Sequence, residues 1–195
     1  MNRLLLIFFS LLSMALLSCH EYTPVPRPFG YHRIDMPGDD GWAEFQQAFC
    51  PFTFEYPAYA KISRSMPDSC WVDLQFEPFD CKWHISYRNV PESRKSRSVH
   101  YEEYRKLIYK HSKKASRINE TPISSPKGYG TLFEIYGNVG TPAQLFFSDS
   151  SGQHIAMLSF YYQTALKGDS LFPITQYMKG KIQHLTESIE WEKSN

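Results

Sequence analysis

Charge of one sign is the first thing this sequence lacks. Its 21 Lys and Arg stand against 20 Asp and Glu, a formal net charge of +1. So balanced a chain has no overall field for wholesale binding to nucleic acid. Catalytic signatures are missing as well. There is no Gly-x-Ser-x-Gly, no phosphate-cradling glycine loop and no dinucleotide fingerprint. The 7 histidines (His20, His32, His84, His100, His111, His154 and His184) include no i, i+4 pair enclosing a carboxylate, as a metallohydrolase needs. Cys-x-x-Cys is absent, so a zinc site has no support. Ser124-Ser125-Pro126-Lys127 matches Ser-x-x-Lys on paper. That nucleophile needs its lysine one helical turn beyond the serine, and Pro126 in a polar connector works against a helix. The residues therefore predict no enzyme, no metal and no cofactor.

Long apolar runs are equally scarce, and the only one opens the chain. Met1-Asn2-Arg3 is a short positive start, and Leu4 to Leu17 is apolar except for Ser10 and Ser13. A bilayer core of about 30 Å needs roughly 20 apolar residues, so this run reads as the h-region of a secretory leader. It ends Leu16-Leu17-Ser18-Cys19, which resembles the bacterial lipobox, whose cysteine thiol is diacylated before the leader is cleaved. The expectation is a signal peptide over 1–18 and lipid attachment at Cys19. A tether over 19–30 follows, stiffened by Pro24, Pro26 and Pro28. One globular domain then occupies 31–195, an ordinary size for a single core.

What the chain has in quantity is aromatic residues, 16% of the total. Several of them alternate with polar residues. Phe52, Phe54 and Tyr56 do so, as do Cys70, Val72, Leu74 and Phe76, and then Trp83, Ile85 and Tyr87. Period two marks strands with one face on a core. Glu77-Pro78-Phe79-Asp80 reads as a turn closing a hairpin. Tyr31 to Met36 is expected to be a short edge strand, and Ala58 to Arg64 a weaker strand candidate. Besides Cys19 there are Cys50, Cys70 and Cys81. An oxidising compartment predicts a disulfide between two of them. Cys50 with Cys70 joins neighbouring strand ends easily, while Cys50 with Cys81 and Cys70 with Cys81 stay open on sequence alone.

Asn89 to Ser98 reads as a loop. From Val99 the period changes: Tyr104, Leu107, Ile108, His111, Ala115 and Ile118 fall at helical spacing, predicting a helix that ends near Asn119. Pro122 and Pro126 mark a connector. Strands are expected from Tyr129, over Gln144 to Ser148, and over His154 to Tyr162. This last is apolar on both faces, like a central strand. Asp169 and Ser170 suit the N-cap of a final helix whose stripe is Leu171, Ile174, Tyr177, Met178, Ile182, Leu185 and Ile189, with Trp191 closing it. Strands, helix, strands, helix with short connections predict an α+β fold. The expected architecture is an antiparallel sheet of about six to seven strands packed with two main helices, Mog1/PsbP-like by analogy.

One charge feature departs from the general balance. Arg88, Arg94, Lys95, Arg97, Arg105, Lys106, Lys110, Lys113, Lys114 and Arg117 face only Glu92, Glu102 and Glu103. Such a segment suits an anionic surface, whether lipid headgroups, an acidic partner or cell-wall polymer. Lys106, Lys110, Lys113 and Lys114 are the candidate contacts. A rival reading, a periplasmic cell-wall or glycan-binding or hydrolytic domain, predicts a cleft around Asn138, Gln144 and Asp149.

Taken together, Cys50-Pro51-Phe52-Thr53-Phe54-Glu55, Cys70-Trp71, Gly137-Asn138 with Gln144, and Ser148-Asp149-Ser150 form one series of fragments. Asp169-Ser170 with Pro173, and Ile182-Gln183-His184-Leu185 leading to Glu190-Trp191, continue it. In order and spacing they resemble the GldD family of gliding-motility lipoproteins of Bacteroidetes, over nearly all of the mature chain. The resemblance implies a lipid-anchored, non-enzymatic accessory of the gliding and type IX secretion machinery, with those machinery proteins as partners. It also favours Cys50–Cys70, because Cys81 stands where the family pattern has a small residue such as Gly. Met178-Lys179-Gly180-Lys181 departs from the acidic residue expected there. His20-Glu21-Tyr22-Thr23-Pro24 lacks the acid-rich stretch of surface lipoproteins, which favours retention on the periplasmic side; the expected anchor is the outer membrane, facing the periplasm, a choice of membrane that these residues do not themselves make.

Overall fold

Alternation of large apolar and polar residues builds most of the sheet seen in the computed structural model. The structure describes residues 33–38, 41–64, 70–90, 94–163 and 171–192, with Arg3 alone before them; side chains of 64, 94–96, 111 and 112 are outside that description. Residues Tyr31–Asn195 form a compact unit separate from Met1–Gly30. Ten strands occur among the described residues: β1 Trp42–Phe45, β2 Phe52–Pro57, β3 Lys61–Arg64, β4 Val72–Phe76, β5 Cys81–Asn89, β6 Ala115–Ser125, β7 Gly128–Gly137, β8 Ala143–Ser148, β9 His154–Tyr162 and β10 Glu190–Trp191. The helices are α1, Arg94–Tyr109, and α2, Phe172–Ser188.

Seven strands make one antiparallel sheet in the order β3-β4-β5-β9-β8-β7-β6, and β1-β2-β10 make a smaller one. The expected antiparallel α+β arrangement with two helices is therefore present. As its two-sided apolar pattern predicts, β9 is central and pairs with β5 over nine positions, from Cys81↔Tyr162 to Asn89↔His154. Period two divides the core between the two sheet faces. Leu132, Leu145, Phe147, Ala156, Leu158 and Phe160 face one way, against Ile174, Met178, Ile182 and Leu185 of α2 and Phe52 and Phe54 of β2. Phe133, Ile135, Phe146 and Ile155 face the other way, against Tyr104 and Ile108 of α1. The helices thus cover opposite faces, and β8 between them is buried at every position.

Several sequence expectations are corrected. The first helix spans Arg94–Tyr109 and tightens into a 3-10 turn at Lys110–Lys113, well short of Asn119. Ala115 and Ile118 belong to β6, which also takes up Pro122. As the last strand of the sheet, β6 has one unpaired edge, where proline is tolerated. Part of the supposed loop over Asn89 to Ser98 is already helix from Arg94. Residues 33–38 form no strand, although an edge strand was expected over Tyr31 to Met36. Trp191 does not extend the last helix; it sits in β10, paired with Phe52. Leu171 occupies the N-cap position of α2 with no side-chain cap bond, and Pro173 fits the first turn. The expected caps Asp169 and Ser170 lie outside the described residues.

Gly180 sits in the middle of α2, where a Cβ would have no neighbour within 4 Å. It opens onto a groove of about 470 Å³ between α2 and β6, lined in part by Pro122, Ile123, Leu132, Gln176 and Gln183. Glycine in a helix interior is about 0.8–1 kcal/mol worse than alanine. Gly180→Ala is therefore expected to stabilise the protein by roughly that amount in urea denaturation. A destabilised variant would show that the groove needs the missing Cβ.

Candidate interaction surface

The structure divides the basic segment into two classes of side chain. Three of its arginines, Arg97, Arg105 and Arg117, are engaged with groups of the sheet. Arg105 makes paired hydrogen bonds to the Glu120 carboxylate at 2.9 and 3.1 Å, and its guanidinium lies 4.9 Å from the centre of the Tyr109 ring. Tyr109 donates a further bond of 2.6 Å to Glu120. These bonds, led by the one from Arg105, outweigh partial burial and hold the Glu120 carboxyl below the usual carboxylate range. Arg97 lies over the Tyr129 ring at 4.4 Å and Arg117 over Tyr136 at 4.3 Å. Each such contact at an exposed site contributes about 0.5–1 kcal/mol.

The lysines point elsewhere. Lys106, Lys110, Lys113 and Lys114 are all exposed and make no ion pair among the described residues. Helical periodicity explains the division. Tyr101, Tyr104 and Ile108 turn toward the sheet, with the Tyr104 hydroxyl donating to the Leu158 carbonyl at 3.3 Å. Val99, Glu103, Lys106 and Lys110 recur on the opposite side, with Leu107 beside them. Val99 and Leu107 are 47% and 54% exposed, and so leave apolar surface between the charges. Between Tyr104 and Asn119 the chain carries no acid at all, while Glu102 and Glu103, in the middle of the helix, are exposed beside Val99 and Lys106. The result is an outward face that is mixed around Lys106, where Glu102 and Glu103 stand beside it, and purely basic at Lys110, Lys113 and Lys114 in the turn that follows the helix.

The rival cleft does not assemble. Asn138 is exposed in the loop before β8, and Asp149 follows its far end. Six residues of strand, about 20 Å at 3.3 Å each, separate them. Gln144 is buried, within 3.5 Å of the Ser159 hydroxyl. Asp149 closes the β8–β9 turn by accepting from the Ser151 and His154 backbone amides at 3.1 and 2.9 Å. Although burial opposes it, this bonding keeps the Asp149 carboxyl below its ordinary pKa. The Ser-x-x-Lys string lies across the end of β6 and the following turn, with Lys127 paired to Glu190 and its carbonyl accepting from the Trp191 indole at 2.8 Å.

Histidines sit in separate local pairs: His84 with Asp73 at 2.6 Å, His154 with the Tyr87 hydroxyl at 2.7 Å, and His184 with Glu55 at 2.7 Å. His184 also stacks on Trp42, ring centres 3.5 Å apart. No group of three His, Cys, Asp or Glu among the described residues could hold a metal ion. His20, His32 and the side chain of His111 lie outside the description, as does Cys19.

Cys50 and Cys70 form a disulfide with their Cα atoms 5.3 Å apart. It ties the start of β2, in the small sheet, to the start of β4, in the large one. Cys81 is a free, fully buried thiol pushed up to about 12, mainly by burial and secondly by the charge of Asp80. So high a pKa leaves almost no reactive thiolate at neutral pH. Iodoacetamide at pH 8 is expected to leave native protein unmodified and to label one cysteine after unfolding. Rapid labelling of the native state would contradict the burial of Cys81.

No helix among the described residues is long and apolar enough to cross a membrane. The chain is similar to the solution structure of cyanobacterial PsbP (CyanoP) from Synechocystis sp. PCC 6803. The two share 11% identity over 85% of this chain and 99% of that one, with a TM-score of 0.48. No curated protein matches the chain. The family described as gliding motility lipoprotein GldD matches residues 21–191, a span that takes in both sheets, both helices and the basic face. The chain belongs to the GldD family of gliding motility lipoproteins.

Proposed function

We propose that this lipid-anchored envelope protein is a non-enzymatic accessory of the gliding and type IX secretion machinery, working through contacts with machinery proteins. The family match across residues 21–191 carries this reading, since it takes in the whole packed unit from before β1 to β10. The disulfide supports an oxidising location outside the cytoplasm. Attachment is through the Cys19 thioether, with the domain on the periplasmic side of the outer membrane. Deleting the gene and restoring it in trans tests the role. Loss of colony spreading and of secreted products, both recovered on complementation, is expected. Unchanged spreading and secretion in the deletion strain would refute it. Crosslinking in intact cells then identifies which machinery protein is touched.

A further inference from the structure

We propose that the end of α1 and the turn after it, built on Lys106, Leu107, Lys110, Lys113 and Lys114, rest on the anionic headgroups of the bilayer that holds the lipid anchor. This rests on the lipid-anchored reading above. Three observations converge on it. The four ammonium groups are exposed and have no ion-pair partner among the described residues. Glu102 and Glu103 stand beside Lys106, but no acid lies between Tyr104 and Asn119 around Lys110, Lys113 and Lys114, and the nearest one beyond, Glu120, is already held by Arg105 and Tyr109. Leu107 and Val99 stand more than two-fifths exposed beside the charges, apolar surface of the kind that enters the headgroup–acyl boundary.

The chemistry distinguishes lipid from an acidic protein partner. Lysines are compact point charges on flexible stems, suited to a diffuse, laterally mobile layer of negative charge. The forked guanidiniums of Arg97, Arg105 and Arg117, which would read a fixed carboxylate, are already taken up by Glu120 and by tyrosine rings. Bound in this way, the domain would lie with α1 on the membrane. The opposite sheet face, with α2, β2 and the groove beside Gly180, would be turned toward protein partners.

The test uses the processed lipoprotein in vesicles of phosphatidylethanolamine with phosphatidylglycerol, and in vesicles of phosphatidylcholine alone. A fluorophore is placed at Val99→Cys, with Gln183→Cys on α2 as the control, and a neutral quencher, acrylamide, reports exposure. We expect the Val99→Cys label to be quenched at least threefold less in the anionic vesicles than in the zwitterionic ones. That protection should vanish in 1 M salt and when Lys106, Lys110, Lys113 and Lys114 are all changed to Gln, while the Gln183→Cys label stays unaffected. Equal quenching in both vesicles would overturn the proposal. So would protection that appears only when envelope proteins are added, which would assign the face to an acidic protein. Failure of the protein to float with either vesicle would sink the anchoring reading itself, a result separate from the other two.

Discussion

Gly130→Ala is expected to destabilise the protein by about 4 kcal/mol or more, the range reserved for mutations that break a specific structural requirement. Gly130 lies within β7 opposite Phe147 of β8. A Cβ placed on it would come within 1.9 Å of the Phe146 carbonyl oxygen and 2.8 Å of the Phe147 Cα. Both obstacles are backbone, so no rotamer change relieves them. The strands must separate, and with them Phe146 and Phe147, which pack on opposite faces of the sheet. Both core halves therefore loosen together. Urea denaturation of soluble variant, or its failure to accumulate in the envelope, provides the readout. A variant with native stability would mean that β7 and β8 are not in this register.

Reduction of the Cys50–Cys70 bond, or its removal by Cys50→Ala with Cys70→Ala, is expected to be the second largest effect. The sequence separation is 20 residues. Chain-entropy reasoning assigns a loop of that length about 3 kcal/mol. For a domain of this size the loss corresponds to a drop in Tm of roughly 6–12 °C. Position adds to the case, because the bond ties the two sheets together beside Phe52, a fully buried ring that stacks on Tyr87 at 5.3 Å. Thermal melts with and without dithiothreitol measure the effect. The double variant should be insensitive to the reductant. If the intact protein is insensitive as well, the cross-link does not contribute to stability.

Where one face of a strand packs and the other is wet, the sequence announces it. The hairpin of β4 and β5 follows from the alternation Val72, Leu74, Phe76 and Trp83, Ile85, Tyr87, and its Glu77–Asp80 turn closes with Asp80 in the left-handed conformation. The stripe Ile174, Met178, Ile182 and Leu185 places α2 correctly for the same reason. Legibility fails at the edges. With neither face of β6 fully buried, no alternation marks the strand, and Ala115 and Ile118 continue a helical spacing by coincidence. Being only two residues long, β10 owes its existence to pairing with β2, which no local pattern records.

The candidate surface was partly readable in the same sense. Charge alone picks out the segment from Arg88 to Arg117. It cannot separate arginine from lysine, because Glu120, Tyr129 and Tyr136 are presented by β6 and β7, which only the folded sheet brings beside α1. The exposed lysines become a distinct face once those contacts are known. Asn138, Gln144 and Asp149 show the converse. As a series they suggest a cleft, yet Asn138 lies in the loop before β8 and Asp149 beyond its far end, and the strand buries Gln144 between them.

The proposed function requires a folded unit moored to its bilayer through Cys19. Intact-mass and peptide spectrometry of the chain extracted from native envelopes examines that most directly. The account predicts an N-terminus at Cys19 bearing a thioether-linked diacylglycerol, with residues 1–18 gone. A chain that keeps its leader, or that starts at an unmodified residue, would contradict it.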